Sequence, residues 1–423
     1  SQVSFFGYPG MLPQKLDSAQ LQIQEIPSWQ TQDELWVFLQ GPHMIELDSL
    51  GNVTYEHHLY SNSLSYLVGK KPNPLRLTKE NFPESSHPSP DFLYQITPYK
   101  EEKTNLLDSG RDWYSLPIRQ GQSLNVNFGL SSDSSAPWLI QGRAMAQSSA
   151  SSIVRILSGN TPLEEIEFSP IPNTLYGIKG RDQNFSISIT PSDNRISQLR
   201  FTYQASAPNS SGYLDYVAIA VPKAPNEWKN GIFHSITSAN LSISQPAEMW
   251  EISDFFHPKT TAQNQLPGKK WVIFTPDELP ELETSGEITL SRRIQNSGAE
   301  FLIISSQELL NSARKLQAHK QSMGISTEVV PLNEIYQEFG YGNPDLTAIR
   351  NFIAWEFHQG KVLKNVLVMG KGTFDYKGIL GGRPNLVPIY TSRNSLNPLA
   401  TYSSDDYLGL IDWGQGEWTE TRD

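Results

Sequence analysis

The clearest hydrophobic pattern in the chain lies between Ala299 and Gly378, where short apolar runs alternate with amphipathic stretches. Phe301 to Ile304 is a continuous apolar run bounded by Ser, which is typical of a strand buried on both faces. Thr327 to Leu332 and Asn365 to Met369 are predicted as a second and a third strand. Because the stretches between these runs keep helical spacing, the pattern predicts parallel strands joined by helices.

Start and stop signals place the helices of this region. Ser305 followed by Glu308 is a capping pair for the first helix, and Gly324 is its C-terminal stop. A later helix starts at Asn343-Pro344-Asp345, where Asn caps, Pro fits the first helical position and Asp faces the positive end of the dipole. Gly360 ends that helix. The pattern predicts one helix between the first two strands and two helical stretches before the third, and together they make up an α/β unit.

A glycine loop, Gly370-Lys371-Gly372-Thr373-Phe374-Asp375-Tyr376, follows the third predicted strand. Open parallel sheets usually bind ligands at this carboxyl edge. The loop is not a phosphate-binding P-loop, because position 365, where that motif needs Gly, is Asn. Asp375 is a candidate ligand-binding residue, although a loop aspartate more often caps a turn.

The preceding part of the chain alternates apolar and polar residues with period two. This pattern covers Leu124 to Leu130, Phe185 to Ile189, Leu199 to Ala205 and Tyr213 to Val221. Such strands separated by Gly, Pro, Asn and Ser turns predict an antiparallel sandwich. Nearer the N-terminus, a hairpin turn is predicted at Ser49 to Asn52.

These patterns divide the chain into four predicted parts. Residues 1–97 form an N-terminal β domain with a Pro-rich wrapping segment from about residue 70. Residues 98–252 form the β-sandwich domain, and residues 253–297 form a bridging segment whose firm strand is Trp271 to Phe274. Residues 298–423 form the α/β part. The predicted fold class is therefore multidomain, with antiparallel, sandwich-like β domains followed by a three-layer α/β subdomain with a parallel sheet.

Composition narrows the possible functions. Of 423 residues only 18% are charged and 11% are aromatic, which favours a folded, β-rich extracytoplasmic protein. A net charge of -11 argues against nucleic acid and anionic membranes as partners. The chain contains no Cys, so disulfides, Cys-based zinc sites and a thiol nucleophile within it are excluded. No apolar run approaches the roughly 20 residues of a membrane span.

The ends of the chain give one more expectation. It begins without Met and without a basic-then-apolar signal peptide, and it stops at Asp423 in an acidic, aromatic stretch. These features predict a processed or truncated product.

Three aspartates near the C-terminus are a candidate cation site. Asp405, Asp406 and Asp412, with the carbonyls of Leu408 or Gly409, supply the oxygen ligands that calcium prefers. Their spacing does not match an EF-hand loop, and a solvated acidic turn is the alternative interpretation. No cofactor other than calcium is predicted. Neither His-Glu-x-x-His nor Gly-x-Ser-x-Gly occurs, so zinc and serine hydrolases have no signature.

Several short motifs together resemble the gingipain-type cysteine peptidases, and within them the PorU-type sortases of the type IX secretion system. The motifs fall in the order typical of that family and extend over most of the chain. They are Ser109-Gly110-Arg111-Asp112-Trp113-Tyr114, Gly212-Tyr213-Leu214-Asp215-Tyr216-Val217, His319 to Gly324, Thr347-Ala348-Ile349-Arg350, Ser395 to Pro398, and Ser404-Asp405-Asp406-Tyr407-Leu408-Gly409-Leu410.

The resemblance implies a caspase-like catalytic domain, of which this chain holds the first half, and attack by a Cys thiolate with a His as acid and base. Two departures bear on this. Lys371 stands where the family usually has an acidic residue. The family's His, in a Gly-His-Gly context, and its Cys have no counterpart among the 423 residues. No catalytic residue is therefore predicted within the chain.

The resulting prediction is an N-terminal fragment of an extracytoplasmic, cell-surface or outer-membrane-associated endopeptidase. As a sortase it would remove C-terminal sorting domains from protein cargo and work with other secretion-system components. The fragment alone is predicted to be inactive. A secreted gingipain-like protease that is not a sortase and a non-enzymatic surface-binding module are the alternatives.

Overall fold

In a computed structural model of the protein, the structure describes residues 2–82, 87–243, 247–263, 265–283, 286–287 and 296–416. Strands dominate up to residue 274, and the α-helices of the described residues lie from residue 310 onwards. None of the helices in these ranges has the length and apolar character needed to span a membrane.

The N-terminal part consists of short strands: β1 to β7 form small antiparallel sheets, whereas β8 pairs in parallel with the strand Thr260–Thr261. Strand β1 pairs with β2 and β7, β3 pairs with β4, and β5 pairs with β6. The predicted hairpin turn is confirmed between β5 and β6, where the Asp48 carboxylate accepts the N–H groups of Leu50 and Asn52 at 2.8 Å. The strands are β1 (Val3–Phe6), β2 (Glu25–Ile26), β3 (Ser28–Gln30), β4 (Leu35–Val37), β5 (His43–Leu47), β6 (Val53–His57), β7 (Leu67–Lys70) and β8 (Lys79–Glu80).

Two larger antiparallel sheets pack face to face in the next part. Their order is β10-β15-β12-β13 in one sheet and β14-β11-β16-β9-β17-β20-β18 in the other. Alternate side chains from both sheets form one core that includes Trp138, Ile140, Leu199, Phe201 and Val217, as the period-two pattern predicts. The strands are β9 (Leu93–Lys100), β10 (Ser123–Ser131), β11 (Trp138–Gln147), β12 (Ser152–Ser158), β13 (Thr161–Phe168), β14 (Arg181–Ile189), β15 (Arg195–Ala205), β16 (Ser211–Lys223), β17 (Gly231–Leu241), β18 (Glu248–Glu251), β19 (Thr260–Thr261) and β20 (Leu266–Phe274).

The seven-stranded sheet includes one strand from residues 253–297, the predicted bridging segment. Strand β20 lies in that range, yet it pairs with β17 and β18, which lie before it. Its apolar run is continuous because Trp271 and Ile273 pack into one hydrophobic cluster while Val272 and Phe274 pack into another. Residues 264, 284–285 and 288–295 of the predicted bridge lie outside the described residues. The division of the chain into domains stays a prediction.

The α/β part contains a parallel sheet of order β22-β21-β23, and all three predicted strands are confirmed. Helix α1 packs on one face and helices α2 and α3 on the other. This is a three-layer arrangement, as predicted. The elements are β21 (Phe301–Ser305), α1 (Leu310–Ser322), β22 (Thr327–Pro331), α2 (Leu332–Phe339), α3 (Leu346–Gly360), β23 (Asn365–Met369), β24 (Tyr390–Thr391) and β25 (Ser403–Ser404).

Two predicted helix caps are wrong. The N-cap of α3 is Asp345, whose carboxylate accepts the Thr347 N–H at 2.7 Å, whereas Asn343 exchanges two hydrogen bonds with the backbone of Ser65. Ser305 belongs to β21 instead of capping α1. Asn343 thus binds a residue distant in the sequence, and Ser305 pairs with Pro331 and Met369 in the parallel sheet.

The first residues of the chain are held against α3 and the segment that follows β25. The Leu12 N–H donates to the buried Asp345 carboxylate at 2.9 Å. Leu16 exchanges backbone hydrogen bonds with residues 414 and 415. Arg350, whose side chain is completely buried, donates to the carbonyls of Gln14 and Leu410 and lies over the Tyr407 ring. The N-terminal segment is therefore an integral part of the α/β packing.

Candidate functional site at the junction of the three parts

The carboxyl ends of the parallel strands are closed by the strand-end loop, residues 370–376, and by the adjacent loop, residues 385–397. The two loops are in close contact: a Cβ added at Gly372 would lie 2.8 Å from the Ile389 side chain and from the Val387 carbonyl. The Tyr376 hydroxyl donates to the Ile389 carbonyl at 2.7 Å. This edge of the sheet is where the sequence predicts a ligand site.

Asp375 is held within its own turn. Its side chain is buried, and its two carboxylate oxygens accept the N–H groups of Ile379 and Leu380, each at 2.8 Å. Both oxygens therefore stabilise the turn that follows the strand-end loop. A ligand-binding role of Asp375 stays a prediction.

Asp375→Ala is expected to lower the free energy of unfolding by about 1–2 kcal/mol, because two backbone N–H groups lose their acceptor. Urea denaturation measures this loss. Asp405→Ala, at an exposed position, is the control and is expected to change stability by less than about 0.5 kcal/mol. Equal stability of the two variants would contradict the structural role of Asp375.

The three aspartates of the candidate calcium site are all exposed. The Asp405 carbonyl accepts the Leu408 N–H, which closes a short turn, and Asp406 lies within that turn. In the part of the chain that the structure describes, no group of three or more His, Asp or Glu residues is arranged to hold a metal ion. Asp405, Asp406 and Asp412 therefore do not converge on one centre, and calcium binding stays a prediction.

A buried cluster of charges lies where the N-terminal part, the sandwich and the α/β part meet. Arg143, in the middle of β11, is 3% exposed and contacts three carboxylates. Its guanidinium lies 2.5 Å from Asp215, 3.0 Å from Asp112 and 2.9 Å from Asp182. Lys100, at the end of β9, binds the other oxygen of Asp215 at 2.5 Å. Three carboxylates thus share two cations.

The unequal sharing explains the titration of these carboxyl groups. Burial raises the pKa of Asp215, but the charges of Lys100 and Arg143 outweigh that effect and lower the pKa below its usual range. Burial raises the pKa of Asp112 as well. The charge of Arg143 lowers this pKa, but the negative charge of Asp215 adds to the effect of burial, so the pKa of Asp112 lies above its usual range. The cluster therefore holds one carboxylate firmly charged and another that accepts a proton more readily.

A second ionic group joins all three parts directly. Glu102 follows β9, and its carboxylate contacts His57 of β6 at 2.7 Å and Lys377 beside the strand-end loop at 2.8 Å. Burial raises the pKa of Glu102, but the hydrogen bonds and charges of His57 and Lys377 outweigh burial and lower it to about 2. The Glu102 carboxylate thus stays charged and links the strand-end loop to the β parts.

A polar cavity of about 140 Å³ lies beside these groups. It is lined by residues of all three parts, including Tyr55, His57, Lys100, Asp215 and Arg393. No side chain of the cavity is a thiol, because the chain has none. The arrangement can orient segments of the chain and hold charge, but it does not provide the nucleophile of a cysteine peptidase.

The sequence signals that point to this junction were partly visible. Asp112 and Asp215 lie in two of the motifs that resemble the gingipain-type peptidases, but their common partner Arg143 was missed. The signal for Arg143 is a cation inside the apolar strand Trp138 to Met145, where a buried charge requires a partner. Glu102 and Lys377 lie in loops, and no periodicity marks them.

Comparisons with known proteins show which family model and which solved structures the chain resembles. Residues 294–421 match the model of peptidase family C25. The crystal structure of dimeric latent PorU from Porphyromonas gingivalis is similar to the chain with a TM-score of 0.82 and 18% identity over 97% of the chain. The chain spans 43% of that PorU chain. No curated protein matches the chain by sequence.

Two carbohydrate-binding modules are also similar to part of the chain, but their TM-scores are too low to bear on its fold or function. A CBM36 module in complex with calcium and xylotriose gives a TM-score of 0.20 and 11% identity, over 29% of this chain and 98% of the module. The C-terminal CBM6 of a laminarinase from Zobellia galactanivorans gives 0.18 and 15%, over 29% and 99%. The C25 and PorU comparisons confirm the resemblance predicted from the motifs: the α/β part matches peptidase family C25, the gingipain family, and the chain has the fold of the matching 43% of latent PorU.

Proposed function

We propose that this chain is part of an extracytoplasmic cysteine endopeptidase of the PorU sortase type, which removes C-terminal sorting domains from secreted cargo. The observation that carries the proposal is the combination of a C25 match over residues 294–421 with a PorU-like fold over 97% of the chain. The match covers the α/β part, whereas the fold similarity extends through the β parts as well. Cargo proteins and other components of the type IX secretion system are the proposed partners.

The 423 residues are proposed to be inactive without further polypeptide. A cysteine peptidase needs a thiolate, and the chain contains no Cys. None of its histidines has glycine on both sides. The proposal therefore assigns the chain a scaffold role: it provides the first strands of the catalytic sheet and the β parts that pack on it.

The proposal predicts that the purified chain does not cleave cargo that carries a C-terminal sorting domain. The complete gene product is expected to cleave it, because further polypeptide supplies the His and the Cys. Cleavage is measured by mass spectrometry of the released sorting domain. Cargo without that domain is the control substrate.

Three outcomes would count against the proposal in different ways. Hydrolysis by the purified chain, abolished by a single substitution within it, would contradict the inactive scaffold. Cleavage by the complete gene product that does not require the sorting domain would favour a general secreted protease. If the gene product lacks a Gly-His-Gly followed by a Cys and cleaves nothing, a surface-binding module replaces the peptidase.

A further inference from the structure

Residues 109–114, the docking segment, leave the sandwich after β9 and lie directly on the loops at the carboxyl edge of the parallel sheet. The Arg111 Nε donates to the Thr391 carbonyl at 2.6 Å, and its guanidinium lies 4.4 Å from the centre of the Tyr390 ring. The Asp112 N–H donates to the Ser395 hydroxyl at 2.8 Å. The docking segment thus contacts the adjacent loop through its backbone and its side chains.

The strand-end loop is contacted by the same segment. The Trp113 ring stacks on the Phe374 ring with a centroid distance of 5.7 Å and an interplanar angle of 15°. Trp113 is buried, with 4% of its surface exposed. Stacked aromatic pairs of this kind fix the relative position of two segments through area and geometry together. Both loops are therefore held by one segment of the sandwich.

Gly110 allows the closest approach in this contact. A Cβ at this position would meet the Ser395 hydroxyl and would lie 2.6 Å from the Asn394 carbonyl. The backbone of Gly110 also has a φ of +77°, in the left-handed region that favours glycine. The backbones of the docking segment and the adjacent loop can therefore touch because this residue has no side chain.

The other end of the docking segment is anchored in the sandwich. Asp112 contacts the buried Arg143 at 3.0 Å. The Tyr114 side chain is completely buried, and its backbone exchanges hydrogen bonds with Thr104. The next residue, Ser115, donates its N–H to the Leu214 carbonyl of β16 at 2.8 Å. Contacts on both sides make the segment a rigid connection between the sandwich and the loops.

We propose that the docking segment is a positioning element, which sets the conformation of the strand-end loop and the adjacent loop and so prepares the active edge of the peptidase. The catalytic half of this inference rests on the proposed function. The two loops have little regular structure of their own, since they contain only the two-residue strand β24. Loops of this kind need support from outside to hold a reactive geometry.

The test uses two glycines with the same backbone strain and different surroundings. Gly110→Ala and Gly121→Ala both put Ala at a strongly positive φ, +77° and +81°, but nothing lies within 4 Å of a Cβ at residue 121. Hydrogen exchange is followed by mass spectrometry under native conditions. For Gly110→Ala we expect exchange in residues 370–380 and 388–402 to be faster by at least about tenfold, with β21 and α1 unchanged. Gly121→Ala is expected to leave these loops as in the wild type.

Ser395→Ala is the second variant, because it removes the acceptor of the Asp112 N–H without adding atoms. It is expected to raise exchange in residues 388–402 by about threefold to tenfold. Equal exchange in Gly110→Ala and Gly121→Ala, or unchanged exchange in the loops of Ser395→Ala, would overturn the positioning role. This arm does not depend on peptidase activity.

The catalytic half of the proposal, that the docking segment prepares the active edge, is tested in the complete gene product. Gly110→Ala is expected to lower kcat by about tenfold or more with a smaller change in KM, because misplaced loops reduce the stabilisation of the transition state more than they reduce the binding of the substrate. Gly121→Ala is expected to stay within about twofold of the wild type. An unchanged kcat alongside faster loop exchange would overturn the catalytic half alone. If the wild-type gene product cleaves nothing, the proposed function fails together with this half, and hydrogen exchange still decides whether the segment holds the loops.

Discussion

Arg143→Met is expected to destabilise the protein by about 3–5 kcal/mol, because it leaves the buried carboxylate of Asp215 and the half-buried carboxylates of Asp112 and Asp182 without their common cation. Lys100 still neutralises Asp215, so the loss falls mainly on the other two carboxylates. The free energy of unfolding from guanidinium denaturation at pH 7 measures the effect. Met keeps most of the volume of the side chain, so the experiment removes the charge and its hydrogen bonds more than the packing.

Arg155→Met is the matched control. Arg155 also lies in a sandwich strand and contacts Glu165 at 2.5 Å, but the two side chains are 36% and 50% exposed. Exposed pairs contribute little, so a loss below about 1 kcal/mol is expected. Similar losses for the two variants would contradict the dominant role of the buried cluster.

The loss of unfolding free energy caused by Arg143→Met is also expected to depend on pH. Without Arg143 the folded-state pKa values of the buried carboxyl groups rise, and groups with raised pKa contribute stability at low pH that is lost as pH increases. The difference between wild type and variant should therefore grow from pH 4 to pH 7. A difference that is constant over this range would argue that the cost comes from packing.

Asp345→Ala is expected to cost about 2–4 kcal/mol, since one carboxylate serves two segments. It caps α3 through the Thr347 N–H and accepts the Leu12 N–H from the first residues of the chain. A lost cap costs about 1 kcal/mol, and a buried N–H without an acceptor adds about 1–3 kcal/mol. Asp17→Ala, which removes the exposed cap of the turn Ser18–Leu21, is the control with an expected cost of about 1 kcal/mol or less.

The same residue makes stability depend on pH in a defined direction. Burial raises the pKa of Asp345 from 3.8 to about 6, although the N–H groups of Leu12 and Thr347 and the charge of Arg350 act in the opposite direction. The folded-state pKa is above the unfolded value, so the stability that the Asp345 carboxyl group contributes is fully present below pH 3.8 and is lost as pH rises through 6. The remaining groups that face Asp345 are the phenols of Tyr60, Tyr336 and Tyr407, whose pKa values are raised above 10.

The stability of the wild type is therefore expected to fall relative to Asp345→Asn by up to about 3 kcal/mol between pH 4 and pH 7. The amide does not titrate, so the difference isolates this one group. Denaturation curves at several pH values measure it. Parallel pH profiles of the two proteins would show that the carboxyl group does not titrate in this window.

Local sequence patterns predicted the helices and strands better than they predicted which residues and strands these elements contact. The apolar run Phe301 to Ile304 identified a strand correctly, because strands covered on both faces are apolar throughout. The run Asn365 to Met369 is also a strand, although Asn365 and Val366 are exposed and its other three residues are half-buried. The cap of α3 was misassigned, because the pairing of Asn343 with Ser65 joins residues that no local rule connects. Strand β20 was recognised, but its neighbours in the sheet were not.

The junction of the three parts shows the same limit for the candidate site. The motif residues Asp112 and Asp215 were noticed as sequence strings, but a string does not specify that both contact Arg143. The predicted cation ligands Asp405, Asp406 and Asp412 were chosen because carboxylates near one another in the sequence suit calcium, and in the fold their side chains do not converge. Charge clusters formed by long-range contacts require the tertiary structure, because side-chain type and spacing define only short-range chemistry.

The backbone pairing of Leu16 with residues 414 and 415 has a consequence for how the molecule forms. This contact closes a loop that contains nearly the whole chain, so its entropic cost is among the largest of any contact in the protein. Contacts of such high sequence separation slow folding and form after local structure is in place. The α/β part cannot complete its packing until synthesis has passed residue 415. The segment around Leu16 therefore reaches its final position only after residues 414 and 415 have been made.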